Sequence, residues 1–351
     1  MKGAFTTATI NYLPKAGILA GSFLDHHPGY RFFIFLIDPK DERTEPFKRE
    51  NLDFISIENL EIEELPQMLS NLNISEISFS LKPILAEYIL NNFQETEHLF
   101  YFDGDIKVYD RLREAEDMFG NFDLLLTPHF THPVNDEKVP SELDILRTGL
   151  YNMGFAGFKN SDNARKILAW WKKRVLDFGY ENHDLGLTAD QMWMSLAPLF
   201  FRRVGIIDHL GYNFAYWNVH ERKLSVINQD FYVNETVKLV FVHFADFNPE
   251  KPDQFSTPKH FNRILPGENK ALLKLCEEYA VDLKNHRLNE YKSIRSKYAI
   301  SYRKQAWRKL DRGDKKSAGA KQTAIWLIYL LPSWFRKIMR KSSLFILRNI
   351  K

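Results

Sequence analysis

The chain has 351 residues, too many for one small domain; at roughly 100–200 residues per domain it should hold about two units. With 44% apolar and 26% charged residues it can bury a sizeable core, which excludes bulk disorder and collagen-like structure. Cys276 is the single cysteine, so a disulfide framework and a Cys-cluster metal site are both excluded.

The first third alternates apolar strands with helical patterns. Gly3–Ile10 is a strand rich in Thr and Ala. Pro14–His26 is a helix with Ile18, Leu19, Phe23 and Leu24 on one face. Arg31–Ile37 is an unbroken apolar strand closed by Asp38-Pro39, and Asp53–Ile57 is a shorter one. Pro83–Phe93 is a helix with proline in its first turn, and His98–Phe102 is a strand running into Asp103-Gly104-Asp105. This alternation predicts a mostly parallel sheet covered on both faces.

Phe122–Thr127 is a further strand, and Pro128–Glu142 is a long surface loop. Tyr151–Phe158 is a glycine-punctuated strand, Asp162–Phe178 a helix, Thr188–Ala197 a short helix and Lys238–Phe244 a late strand. Gly267–Arg312 is mainly helical and increasingly basic. No segment repeats another and none is of low complexity.

The net charge of +3 is unevenly spread. Residues 284–351 carry 19 Lys and Arg against 3 acids, leaving 29 basic and 42 acidic residues before them. A basic tail on an acidic globule points to an anionic surface. Ala324–Phe335 is mostly apolar and Trp-bearing, followed by Arg336, Lys337, Arg340 and Lys341. It suits a helix lying in a lipid interface, or else one packed on the globule or in an oligomer contact. No signal-peptide pattern opens the chain, and no window is apolar enough to predict a membrane span.

Asp103 and Asp105 follow a strand at positions i and i+2, so their carboxylates share one side. At the C-terminal end of a parallel strand they stand where open α/β sheets bind ligands, and they could hold a cation bridged to phosphate. A solvated turn is the alternative. His243, near the end of the late strand, would shift the preference toward Mn²⁺ if it joined them; a structural histidine is the other reading. Asn152 and Gly154 mark either a ligand contact or a backbone bulge. Asp190-Gln191 opens a helix for which Thr188 could be the N-cap and Gln191 the capping-box partner. His129, His132, Asp136 and Glu137 fit no ligand template and read as loop. The glycine-rich phosphate and dinucleotide fingerprints and the nucleophile elbow are all missing.

The order of these features resembles the GT-A glycosyltransferases, and within them the family 8-like retaining enzymes. The features are a Thr/Ala-rich first strand, Lys82 at a helix start, the apolar strand with Asp103-Gly104-Asp105, YNMGF, Asp190-Gln191 and a late strand ending at His243. The resemblance covers roughly residues 1–265 and implies a GT-A, Rossmann-like mixed α/β sheet flanked by helices, with 266–351 as a basic helical extension. It implies Thr7, Ala8, Thr9 and Tyr12 near the nucleotide base, and Lys82 near the donor's phosphates or sugar. Asp103 and Asp105 would hold the metal and ribose, with His243 as third protein ligand. Asn152 and Gly154 would line the sugar pocket, Asp190 would bind sugar hydroxyls, and Gln191 would face the anomeric carbon. The family's His-x-x-Gly-x-x-Lys-Pro is replaced here by a run in which Asp246 stands at the glycine position and Lys251 lies two residues further on. The segments TPHFTHP, SELDIL and NFAYWNVHERKL resemble a bacterial subgroup of polysaccharide glycosyltransferases.

The expected activity is therefore a hexosyltransferase. It would use Mn²⁺ or Mg²⁺ to move sugar from a nucleotide-sugar, with a UDP-sugar expected, to a glycan or lipid-linked acceptor in bacterial surface polysaccharide synthesis. The expected site of action is the cytoplasm, peripherally on the inner membrane face through the amphipathic segment 322–351, with no nucleic-acid partner. A sugar-phosphate nucleotidyltransferase and a non-catalytic membrane-attached scaffold are the alternatives.

Overall fold

The computed structural model describes residues 1–182, 186–264 and 267–299. The strands in chain order are β1 (Lys2–Ala8), β2 (Tyr30–Leu36), β3 (Leu52–Ser56), β4 (His98–Phe102), β5 (Ile106–Val108), β6 (Leu124–Pro128) and β7 (Tyr151–Lys159). They continue as β8 (Glu181–Asn182), β9 (Leu187–Thr188), β10 (Val204–Ile206), β11 (Leu224–Ile227), β12 (Asp230–Val233), β13 (Val237–Lys238) and β14 (Phe241–His243). The helices are α1 (Leu13–His26), α2 (Leu65–Asn71), α3 (Ile74–Asn92), α4 (Arg113–Met118) and α5 (Glu142–Thr148). After them come α6 (Asp162–Phe178), α7 (Gln191–Met194), α8 (Ala197–Phe200), α9 (Lys270–Asn285) and α10 (Leu288–Tyr291).

A seven-stranded mixed sheet in the order β10-β6-β7-β4-β1-β2-β3 forms the centre, and helices flank it. β7 runs antiparallel to both β4 and β6; the other pairings are parallel. This is the expected fold class. The unbroken apolar run of β2 follows from burial on both faces. Phe33 and Phe35 pack with Leu81, Leu85 and Ile89 of α3 and Trp171 of α6. Phe32 and Ile34 point the other way, among Leu13, Leu19 and Phe23 of α1.

Three differences from the sequence expectation bear on the site. α3 begins at Ile74, not Pro83, because Asn73 and Glu76 form a reciprocal capping box; Lys82 and Pro83 lie in the helix interior. Thr188 belongs to β9, and Asp190 is the residue preceding α7, so the proposed Thr188 cap is absent. The late strand is two short strands, β13 pairing with β12 and β14 with β5.

The compact unit runs from Met1 to Ala299, past the boundary expected at 265. α9 belongs to it because its apolar face seats Leu272, Leu275, Cys276 and Tyr279 in a third core cluster with Phe214, Val242 and Phe244. The basic segment beyond 299, including 322–351, lies outside the described residues.

Candidate active site

β4 ends at Phe102, and the Asp103 N–H donates to the Gly154 carbonyl at 2.8 Å, which ties the turn to β7. Three residues later the chain enters β5, whose Ile106 pairs with His243 of β14. The Phe244 N–H donates to the Asp105 carbonyl at 2.9 Å. A strand ladder thus fixes a histidine distant in sequence beside the two aspartates. His243 Nε2 stands 3.2 Å from Asp105 Oδ1 and 4.0 Å from Asp103 Oδ2.

The other ring nitrogen is held as a donor. Asn152 Oδ1 faces the Gly154 N–H at 3.1 Å and Asn213 Nδ2 at 3.2 Å, both of which can only donate. The same oxygen lies 3.3 Å from His243 Nδ1, so Nδ1 carries a proton that it donates to Asn152. Nε2 faces the carboxylates: in the neutral ring it carries a lone pair, and in the protonated ring it donates to Asp105. Gly154 makes this approach possible: a Cβ there would lie 2.4 Å from His243 Cε1 and 2.6 Å from Nδ1.

Asp105 is buried, and burial alone would raise its pKa. His243, Lys15 and Tyr12 outweigh that and hold the carboxyl well below the usual range. The Tyr12 hydroxyl donates to Asp105 Oδ2 at 2.9 Å, and Lys15 Nζ lies 3.8 Å from the same oxygen. Among the described residues no group of three or more His, Cys, Asp or Glu side chains is drawn together closely enough to hold a metal ion as it stands. Asp103, Asp105 and His243 are nonetheless carboxylate oxygens and an imidazole nitrogen gathered on one side, the donor types that suit a divalent cation.

Behind this group lies a buried ion-pair relay. Lys82 Nζ donates to the Met153 carbonyl at 2.8 Å and pairs with Asp190 Oδ2 at 2.9 Å and Asp103 Oδ1 at 3.4 Å. Burial alone would lower the lysine pKa, but the two carboxylates outweigh it and raise it. Burial outweighs the lysine at Asp190 and pushes that carboxyl up to about 6. Neither side chain lines a cavity; both stand in the wall. Gln191 is pinned by its amide, Nε2 donating to the Thr148 carbonyl at 2.7 Å and Oε1 accepting from the Met153 N–H at 3.3 Å.

Two cavities lie on either side of the His243–Asn152 contact. One of about 340 Å³ is lined by Thr7, Ala8, Thr9, Tyr12, Asp103, Asp105 and His243, among others. A second of about 720 Å³ has Asn152, Gln191, His129 and Trp217 on its walls. The predicted residues therefore assemble, with Lys82, Asp190 and Gly154 placed behind the surface rather than on it. Sequence reasoning missed Lys15, Ser78, Phe79 and Trp217. The Asn73–Glu76 capping box was the available signal for Ser78 and Phe79, because it starts α3 early enough to bring them to the cavity. The loop quartet does not assemble: His129 contacts Asn152, His132 contacts Glu221, and Asp136 pairs with Arg263.

No protein-family model matches this chain. It is 27% identical over 222 residues to Uncharacterized protein YfnF of Bacillus subtilis (strain 168), an alignment spanning 61% of this chain and 71% of YfnF. It is 25% identical over 267 residues to Uncharacterized protein YfnD of the same organism, spanning 75% and 82%. Among solved structures it is similar to the galactosyltransferase LgtC in complex with donor and acceptor sugar analogues. That match has 17% identity and a TM-score of 0.48, over 80% of this chain and 95% of LgtC. It is also similar to the glycosyltransferase GlyE of Streptococcus pneumoniae TIGR4, at 15% identity and a TM-score of 0.46, over 84% of this chain and 65% of GlyE.

Proposed function

We propose that the chain is a metal-dependent glycosyltransferase, taking sugar from a nucleoside diphosphate-sugar to a saccharide acceptor. One observation carries the reading. Asp103, Asp105 and His243 converge on one cavity, and His243 also contacts Asn152 and Trp217, which line a second cavity with Gln191.

In this reading Thr7, Ala8, Thr9 and Tyr12 cradle the nucleoside, and Lys15 adds a cation near the diphosphate. A divalent cation held by Asp103, Asp105 and His243 would offset the charge gathering on the leaving diphosphate. Asn152, accepting from Nδ1, keeps Nε2 of His243 turned toward the two carboxylates. Lys82 restrains Asp103 and Asp190, so neither carboxylate swings as the charge at the site changes. Gln191, fixed at both ends of its amide, presents its carbonyl oxygen to the sugar's anomeric carbon. The acceptor hydroxyl oxygen forms the new bond to that carbon. The bond to the diphosphate breaks with its electron pair on the diphosphate, and the hydroxyl proton passes to it or to solvent.

The expected setting is bacterial surface polysaccharide synthesis, with a UDP-sugar as donor. Among the described residues no helix is long and apolar enough to cross a membrane. The basic, Trp-bearing segment 322–351 would attach the chain peripherally to the anionic inner membrane face. The test is release of nucleoside diphosphate from a panel of nucleotide-sugars, with and without Mn²⁺. One accepted donor, silenced by chelator and restored by Mn²⁺, supports the reading. No turnover with any donor, or turnover indifferent to chelator, defeats it.

A further inference from the structure

The 720 Å³ cavity has an uneven charge lining. Arg147, Lys259 and Asp144 are the formally charged residues on its wall, beside His129 and His260. Arg147 and Lys259 are both exposed, and neither has a carboxylate within ion-pair distance among the described residues. This is unlike the cations around them. Arg263 makes two contacts of 2.9 Å to Asp136, and Arg222 pairs with Glu221 at 3.2 Å.

Asp144 does not neutralise the pair. Its Oδ2 accepts from both the backbone N–H and the hydroxyl of Ser141, each at 2.7 Å, as the capping box of α5. Its pKa is lowered, first by the Ser141 backbone bond and less by Arg147. The lining is therefore two cations against one carboxylate already committed to the fold.

The remaining wall is aromatic. Tyr216 and Trp217 stand together, and Trp217 lies edge-on to His243 at 5.2 Å between ring centroids. The Trp217 indole N–H is enclosed and has no partner among the described residues. A buried donor left without a partner is unfavourable, and a bound hydroxyl or carboxylate oxygen would satisfy it. Asn152 and Gln191 also line this cavity, and Asn152 touches His243. A ligand here lies against Asn152 and Trp217, both of which contact His243.

We propose that this cavity is the acceptor site and that it selects an anionic saccharide, one bearing a carboxylate or a phosphate. Arg147 and Lys259 meet the anion, and Tyr216 and Trp217 meet the sugar rings. The proposal rests on the glycosyltransferase reading given above and adds the charge of the acceptor to it. Cations without internal partners are free to form charge-assisted bonds with an entering oxyanion, and a neutral sugar leaves them unmatched.

The experiment uses the full chain with Mn²⁺ and whichever nucleotide-sugar it hydrolyses. Three acceptors are compared: a neutral disaccharide, the same disaccharide oxidised to its uronic acid, and the same disaccharide carrying a phosphate ester. Either anionic form should be used at least about tenfold better by kcat/KM. Which of the two is preferred separates a carboxylate site from a phosphate site. In Arg147→Gln/Lys259→Gln the preference should shrink to within about threefold, with KM for the anionic acceptor taking the loss. Calorimetric binding of the preferred disaccharide should weaken with added salt in the wild type and lose that dependence in the double variant. Donor hydrolysis with equal or better use of the neutral disaccharide overturns this inference alone. So does a preference that survives the double substitution. Hydrolysis of no nucleotide-sugar overturns the glycosyl reading and this inference with it.

Discussion

Asn152 Oδ1 lies 3.3 Å from His243 Nδ1, and the two residues stand 91 positions apart in the chain. This contact decides which imidazole nitrogen faces Asp103 and Asp105. Asn152→Leu removes the acceptor while keeping similar volume. Mn²⁺ affinity, read by the free-ion paramagnetic signal in a titration, should fall about 10–100-fold. Unchanged affinity would show that the tautomer is held by something else.

Gly154→Ala tests the same approach from the other side. The new methyl would meet His243 at 2.4 Å and Asn152 Oδ1 at 2.7 Å, so the ring must move. A destabilisation of about 1–3 kcal/mol is expected from overpacking, together with lost Mn²⁺ binding. Denaturant unfolding and metal titration on one preparation separate the two effects. A variant that binds Mn²⁺ normally would place His243 outside the metal set.

Lys82→Met leaves Asp103 and Asp190 facing each other without their shared cation. Removing one partner from a buried pair costs about 3–5 kcal/mol, so the melting temperature should drop sharply. Adding Asp190→Asn should restore part of the loss, because one uncompensated charge is then gone. If the double variant is no more stable than Lys82→Met, the relay is not what Lys82 contributes.

Acid should destabilise the protein through its buried histidines. His27 and His98 are buried, and burial pushes each from 6.5 down to about 4. His27 Nδ1–H donates to the Phe23 carbonyl, and its Nε2 accepts from the Leu112 N–H, an arrangement that requires the neutral ring. Between about pH 6.5 and 4 the unfolded chain binds protons that the folded chain refuses. Stability is therefore full above that window and falls as pH drops through it, by roughly 3 kcal/mol per histidine. Urea midpoints at pH 7, 6 and 5 should decline, and His27→Gln should reduce the slope. A flat profile would mean that these rings protonate in place.

The basic tail makes its own prediction. Full-length protein should float with anionic vesicles and not with neutral ones, and salt should weaken but not abolish the binding. Replacing Arg336, Lys337, Arg340 and Lys341 with serine should remove most of the salt-sensitive part. Indifference to anionic vesicles would leave the tail without a membrane role.

Sequence alone determined six of the seven strands of the central sheet, β10 being the exception, and the residues worth watching. The apolar runs at Arg31–Ile37 and His98–Phe102 are legible because strands buried on both faces have no polar alternation to obscure them. The pair Asp103 and Asp105 is legible because adjacent positions share geometry whatever the fold. The positions of Lys82 and Pro83 were misread because a proline inside a helix looks locally like a start; only the capping box at Asn73–Glu76 and the packing of α3 place them in its interior. Tertiary structure alone decided that Asn152 orients His243, that Lys82 and Asp190 sit behind the wall, and that Arg147 and Lys259 meet across one cavity. These depend on contacts between segments tens to hundreds of residues apart. Local propensity carries no record of which distant backbone will pair with which, since strand register and burial are set by the assembled core.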